Sequence, residues 1–104
     1  MPVKQITRKS SFQEQQELLD KLVAEWHSSN SAAEQPLILE ERDTPDKYIH
    51  VYVIWDEWAH LDQLQRGELV MEAFERRYGH AEANRVTVTM GLTSAEAHRL
   101  GIHA

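Results

Sequence analysis

A single small α+β domain is the fold class that the sequence predicts, and three observations point to it. Residues 48–55, Tyr48-Ile49-His50-Val51-Tyr52-Val53-Ile54-Trp55, form the longest unbroken β-prone run. Two amphipathic helical patterns flank that run, and a cleanly alternating segment follows the second of them. The expected order is helix, strand, strand, helix, strand, helix: a three-stranded mixed sheet with helices packed on one face.

The elements follow in chain order. Residues 1–10 read as a flexible basic tail, and 11–104 as the folded domain. Ser11-Phe12-Gln13-Glu14 matches a capping box, and Phe12, Leu18, Leu19, Leu22, Val23 and Trp26 then recur at helical spacing, which predicts a helix over 11–28. Ser28-Ser29-Asn30-Ser31 ends it. Leu37-Ile38-Leu39-Glu40-Glu41 is a short strand between Pro36 and the turn sequence Asp43-Thr44-Pro45-Asp46. That turn makes it an antiparallel partner of the central strand. In the central strand, alternation puts Ile49, Val51, Val53 and Trp55 on an apolar face that needs a cover. Tyr48, His50, Tyr52 and Ile54 take the other face.

Residues 56–61 read as a loop or a single helical turn. Asp62 then caps a long helix, with Gln65 completing a second capping box. Leu69, Val70, Ala73, Phe74 and Tyr78 form its apolar stripe, Arg76 and Arg77 suit its C-terminal dipole, and Gly79 stops it. Gly67 inside this pattern costs about 0.5–1 kcal/mol relative to alanine and marks a kink between two helices. In Arg85-Val86-Thr87-Val88-Thr89-Met90, Val86, Val88 and Met90 are expected inward, and Arg85, Thr87 and Thr89 outward. The length of the crossover makes this strand parallel to the central one. Thr93-Ser94-Ala95-Glu96 is a third capping box, opening a short helix that Gly101 ends.

Composition narrows the function classes. A chain of 104 residues buries a core without staples, and with no cysteine it has no disulfide, thiol nucleophile or thiolate metal site. No run suits a signal peptide or a membrane span, so a cytoplasmic protein is expected. The net charge is −6, and Lys4, Arg8 and Lys9 put +3 on the first eleven residues, so the remainder stands at −9. An acidic body repels phosphate backbones, which weighs against a nucleic-acid partner.

The order of elements, the loop lengths and several local strings resemble the BolA family, whose fold is related to the class II KH domain. Trp58 looks like the family's strand-ending aromatic, and Arg66-Gly67-Glu68-Leu69-Val70 falls where its Arg-His segment lies. Val86 to Glu96, a strand running into a threonine-capped helix with an acid, is similar as well. The resemblance implies the fold, a binding role for Arg66, and a monothiol glutaredoxin as a candidate partner. The chain departs from the family where the cluster-ligand histidine falls on Gly67 and where a family glycine falls on His60. Glycine has no side chain to ligate iron, so sharing of an iron–sulfur cluster does not carry over with the fold.

Among candidate sites, Asp56, Glu57, His60 and Asp62 form the densest polar cluster, but its spacing matches no metal signature and no metal or other cofactor is expected. His27, His98 and His103 sit near helix ends, where imidazoles help satisfy carbonyls. No serine lies on a strained nucleophile elbow, and an enzyme is not expected. The Tyr48, His50, Tyr52 stripe is the candidate binding surface, for a partner protein or a second copy. The alternative is a KH-like single-stranded RNA or ribosome-associated binder, in which those rings stack on bases, though no Gly-x-x-Gly turn occurs in 58–68.

Overall fold

The computed structural model describes residues 11–27, 35–42 and 48–102, with the backbone alone at 11, 12 and 27. The expected basic tail, the Ser28–Ser31 stop, the Asp43–Asp46 turn, His103 and the side chains of Ser11, Phe12 and His27 lie outside these residues. The elements are α1 (Ser11–His27), β1 (Leu37–Arg42), β2 (Ile49–Ile54), a 3₁₀ turn (Asp56–Trp58), α2 (Gln63–Tyr78), α3 (His80–Ala83), β3 (Val86–Leu92) and α4 (Ser94–Leu100). The fold is the predicted α+β class with a three-stranded mixed sheet.

The strands lie in the order β1-β2-β3. β1 runs antiparallel to β2 with Leu39 opposite Tyr52, and β3 runs parallel to β2 with Met90 opposite Tyr52. Period-2 alternation sends Ile49, Val51 and Val53 to the face under the helices, where each is fully buried, and Trp55 follows at 2% exposure. α1 supplies Leu18, Leu19, Leu22 and Trp26 to that core, and α2 supplies Leu69, Val70, Ala73 and Phe74. Burial of this apolar area is the main stabilising term.

The helix ends follow their signals. Asp62 accepts from Gln65 N–H at 2.8 Å while the Gln65 side chain accepts from Asp62 N–H at 3.0 Å. The Thr93–Glu96 box closes in the same reciprocal way. Gly101 ends α4 at φ 72°, in the left-handed region where a glycine meets no Cβ penalty.

Three expectations need correction. α2 runs unbroken through Gly67, because the glycine sits against β3 and not at a kink; the break comes at Gly79, at φ 91°. The inward set of β3 is also different. Ile49 pairs with Val86 but His50 pairs with Val88, so Thr87 is one residue too many and the strand bulges. Beyond the bulge the faces exchange: Val88 and Met90 lie beside His50 and Tyr52, while Thr89 and Gly91 turn toward α2. Finally, α1 and α2 share one face, but α4 packs on the end of the other, where Ile54, Leu92 and Ala97 form a second small cluster.

Candidate functional site

The second face of the sheet is built from three rows across the strands. Leu37, Ile54 and Leu92 form the first, and α4 covers it. Leu39, Tyr52 and Met90 form the second and are only partly buried. Glu41, His50 and Val88 form the third, and Tyr48 stands beyond it at 65% exposure. The face therefore grades from covered at the α4 end to open at the Tyr48 end.

The predicted stripe is brought together on this face. The His50 and Tyr52 rings meet edge to face, 6.5 Å apart at 85°, a geometry in which ring edge and ring face attract. His50 Nδ1 lies 3.2 Å from Oε1 of Glu41, its neighbour across the β1–β2 pair. Tyr52 also lines a shallow groove of ≈ 390 Å³ with Leu39, Glu40, Glu41, Gly101 and Ile102. The surface offers aromatic faces, aliphatic groups and one carboxylate-held imidazole.

Arg66 is elsewhere. It lies on the helix-covered side at 4% exposure, inside the molecule. Its Nε donates to Trp58 O, Nη1 to Gly91 O and to Glu96 Oε1, and Nη2 to Ala59 O, at 2.8–3.1 Å. A buried guanidinium is tolerable only with such partners. Here it ties the 3₁₀ turn, α2, β3 and α4 together and presents nothing to a ligand. The bond to the Thr93 backbone and the Arg66 guanidinium hold Glu96 below the usual carboxylate range.

The polar cluster 56–62 is dispersed by its own turn. Asp56 accepts from Ser94 N–H and Oγ–H, each at 2.8 Å, and from Gln35 Nε2 at 3.1 Å. Those bonds, the Ser94 backbone first, lower its pKa. Glu57 pairs with Lys21, His60 with Glu14, and Asp62 caps α2. Among the described residues no group of three metal-ligating side chains forms.

A network that the sequence reading missed lies on the helix side of β1. Glu40 Oε2 accepts from Tyr78 Oη at 2.6 Å and from Trp26 Nε1 at 3.0 Å, while Oε1 accepts from Arg42. Burial pushes against the Glu40 charge, but these three donors outweigh it and hold the carboxyl below its ordinary range. Burial and the bond to Glu40 raise the Tyr78 pKa. The sequence carries no local signal of this network, since Trp26 and Tyr78 lie 14 and 38 residues from Glu40.

Among the described residues, no helix is long and apolar enough to cross a membrane. No protein-family model matches the chain, and no curated protein or solved structure matches it.

Proposed function

We propose that this protein is a non-enzymatic, cytoplasmic protein-interaction or regulatory module that binds a partner protein or a second copy through the second face of its sheet. The observation that carries the reading is the partly buried row Leu39–Tyr52–Met90, flanked by Tyr48 at 65% exposure. Aromatic and methionine side chains on an open patch are what protein interfaces favour. The acids and histidines nearest the turn and helix caps hold structural partners, which supports a binding role over catalysis. The BolA resemblance makes a monothiol glutaredoxin a partner worth testing, without cluster sharing, because Gly67 lies against Thr89 and offers no ligand.

The second reading, a KH-like binder of single-stranded RNA, draws on the exposed Tyr48 and the His50–Tyr52 pair as stacking groups. Glu41 beside His50 and the −9 body weigh against it.

Sedimentation of the unmodified chain and of Tyr52→Thr, alone and with a monothiol glutaredoxin, tests the proposal. Association of the unmodified chain that Tyr52→Thr weakens, with little change in unfolding midpoint, is the expected result. Co-expression with the glutaredoxin should give a colourless mixture. Saturable binding of a labelled RNA pool at about 0.15 M salt, with a steep salt slope, would replace this reading by the second.

A further inference from the structure

We propose that the free edge of β3 is a docking site for an extended basic segment of a partner protein, which adds to the sheet as a fourth strand. This surface is distinct from the Tyr48–Tyr52 face and stands without it.

β3 is the outer strand of the sheet. Its phase is fixed by Trp55 N–H donating to Leu92 O at 2.7 Å, so Leu92 turns its backbone groups toward β2. Alternate residues then turn away, which puts Gly91 and Thr89 on the outer side. Arg66 Nη1 reaches around to Gly91 O at 3.1 Å, which agrees with that direction and already fills that acceptor, so the open part of the edge is at Thr89. The Thr89 amide and carbonyl face outward at the middle of the strand. Natural edges are blunted with charges, proline or a covering element. β1 has Pro36 at its start and Glu40, Glu41 and Arg42 within it, whereas β3 has neither charge nor proline from Val86 to Leu92 and is blunted only by the bulge at Thr87, before Thr89.

The space beside this edge is shaped as well. Gly67 leaves a notch above Thr89, and a shallow groove of ≈ 460 Å³ opens there, lined by Gln63, Leu64, Gly67, Glu68, Met71 and Thr89. Leu64 is 72% exposed, so an apolar wall stands in water next to an open strand edge. Strand addition supplies both requirements: main-chain bonds to the edge, and alternate side chains into the groove. The flank chooses the sign of the occupant. Glu68 lines the groove, Glu72 and Glu75 continue along α2, and the one cation of that stretch, Arg76, is paired with Glu72 at 3.0 Å. Glu75 lies 3.5 Å from His80 Nδ1, which leaves Glu68 as the carboxylate beside the groove to meet a lysine or arginine of the incoming segment.

Titrating the isotope-labelled full chain with a short synthetic peptide of alternating valine and lysine, followed by amide NMR, tests this. Saturable shifts at Thr89, Gly91, Leu64 and Met71 are expected. Binding should weaken by about tenfold when glutamate replaces the peptide lysines, and again when its edge-facing amides are N-methylated. Glu68→Lys should weaken it several-fold without moving the unfolding midpoint. Equal affinity of the N-methylated peptide, or shifts confined to the Tyr52–Met90 face, would overturn strand addition. Exchange protection of the Thr89 amide without peptide overturns the partner assignment: it gives the edge to a second copy if protection grows with concentration, and to the chain's own Lys4–Lys9 segment if it does not.

Discussion

Replacing Gly91 with alanine tests how closely the 3₁₀ turn and α2 sit on β3. A Cβ at Gly91 would lie 2.5 Å from Arg66 Cβ, 2.7 Å from Trp58 Cζ2 and 2.9 Å from Trp58 Cη2. Neither neighbour is a loose end. Trp58 is fully buried and its Nε1 donates to Leu92 O at 3.1 Å, while Arg66 is held by four bonds. Relieving the overlap therefore moves a packed indole and strains a buried cation. Overpacking alone costs about 1–3 kcal/mol. Losing one charge-assisted bond of Arg66 adds about 1.5–3 kcal/mol. The stiffer unfolded chain returns about 0.4–1 kcal/mol. The net expectation is a loss of about 1.5–5.5 kcal/mol, read from urea unfolding followed by tryptophan fluorescence. A loss below about 0.5 kcal/mol would refute the close approach and with it the face assignment of β3 beyond the bulge.

Three further outcomes are expected. In Gly67→Ala the new Cβ lies 3.2 Å from Thr89 Oγ1, so the gain of about 0.5–1 kcal/mol from helix propensity is cancelled; in a Thr89→Ala background the same change should stabilise by that amount, as urea midpoints will show. Val53→Ala, at a fully buried site, should cost about 1–3 kcal/mol, and Tyr52→Thr should cost less; the reverse order in thermal unfolding would turn β2 over. Glu40 has a folded pKa below its ordinary 4.5, so its contribution is complete above that value and is lost as pH falls through it toward the lowered folded value. Glu40→Gln should cost about 1–3 kcal/mol at neutral pH and flatten the acid limb of a stability-against-pH curve.

The parts legible in the sequence are those set by local chemistry or by simple alternation. The Asp62 and Thr93 capping boxes need only four consecutive residues, and both close. Ile49, Val51, Val53 and Trp55 alternate without interruption and are all buried. β3 fails the same test because its bulge arises from pairing: nothing within Val86-Thr87-Val88-Thr89-Met90 says that Thr87 will have no partner. Arg66 carries an expected binding role in the sequence, and its acceptors Gly91 and Glu96 lie 25 and 30 residues away, beyond the reach of local pattern. The cluster at 56–62 reads as one group because it is contiguous, but the 3₁₀ turn aims its side chains at Ser94, Lys21, Glu14 and Gln65. Gly67 and Gly91 were the available signals of a close seam, since a glycine inside a helix or strand often marks backbone approach. Of the four candidate binding residues, Tyr48, His50 and Tyr52 share one surface and Arg66 lies inside the molecule.

The unpaired Thr87 also sets how chains of this shape should be compared. Paired instead of bulged, Thr87 would sit opposite His50 and slide every later residue of β3 by one place, putting Val88 and Met90 beneath Trp58 and α2, where only a glycine and a threonine now fit. A one-residue gap at position 87 thus removes the bulge and leaves the facing of Val88 to Leu92 unchanged. In a distant relative the sound anchors are the two glycines and the threonine that meet across the seam, Gly67, Thr89 and Gly91. An alignment that honours the valines and lets those three drift would superimpose the wrong sides of the strand.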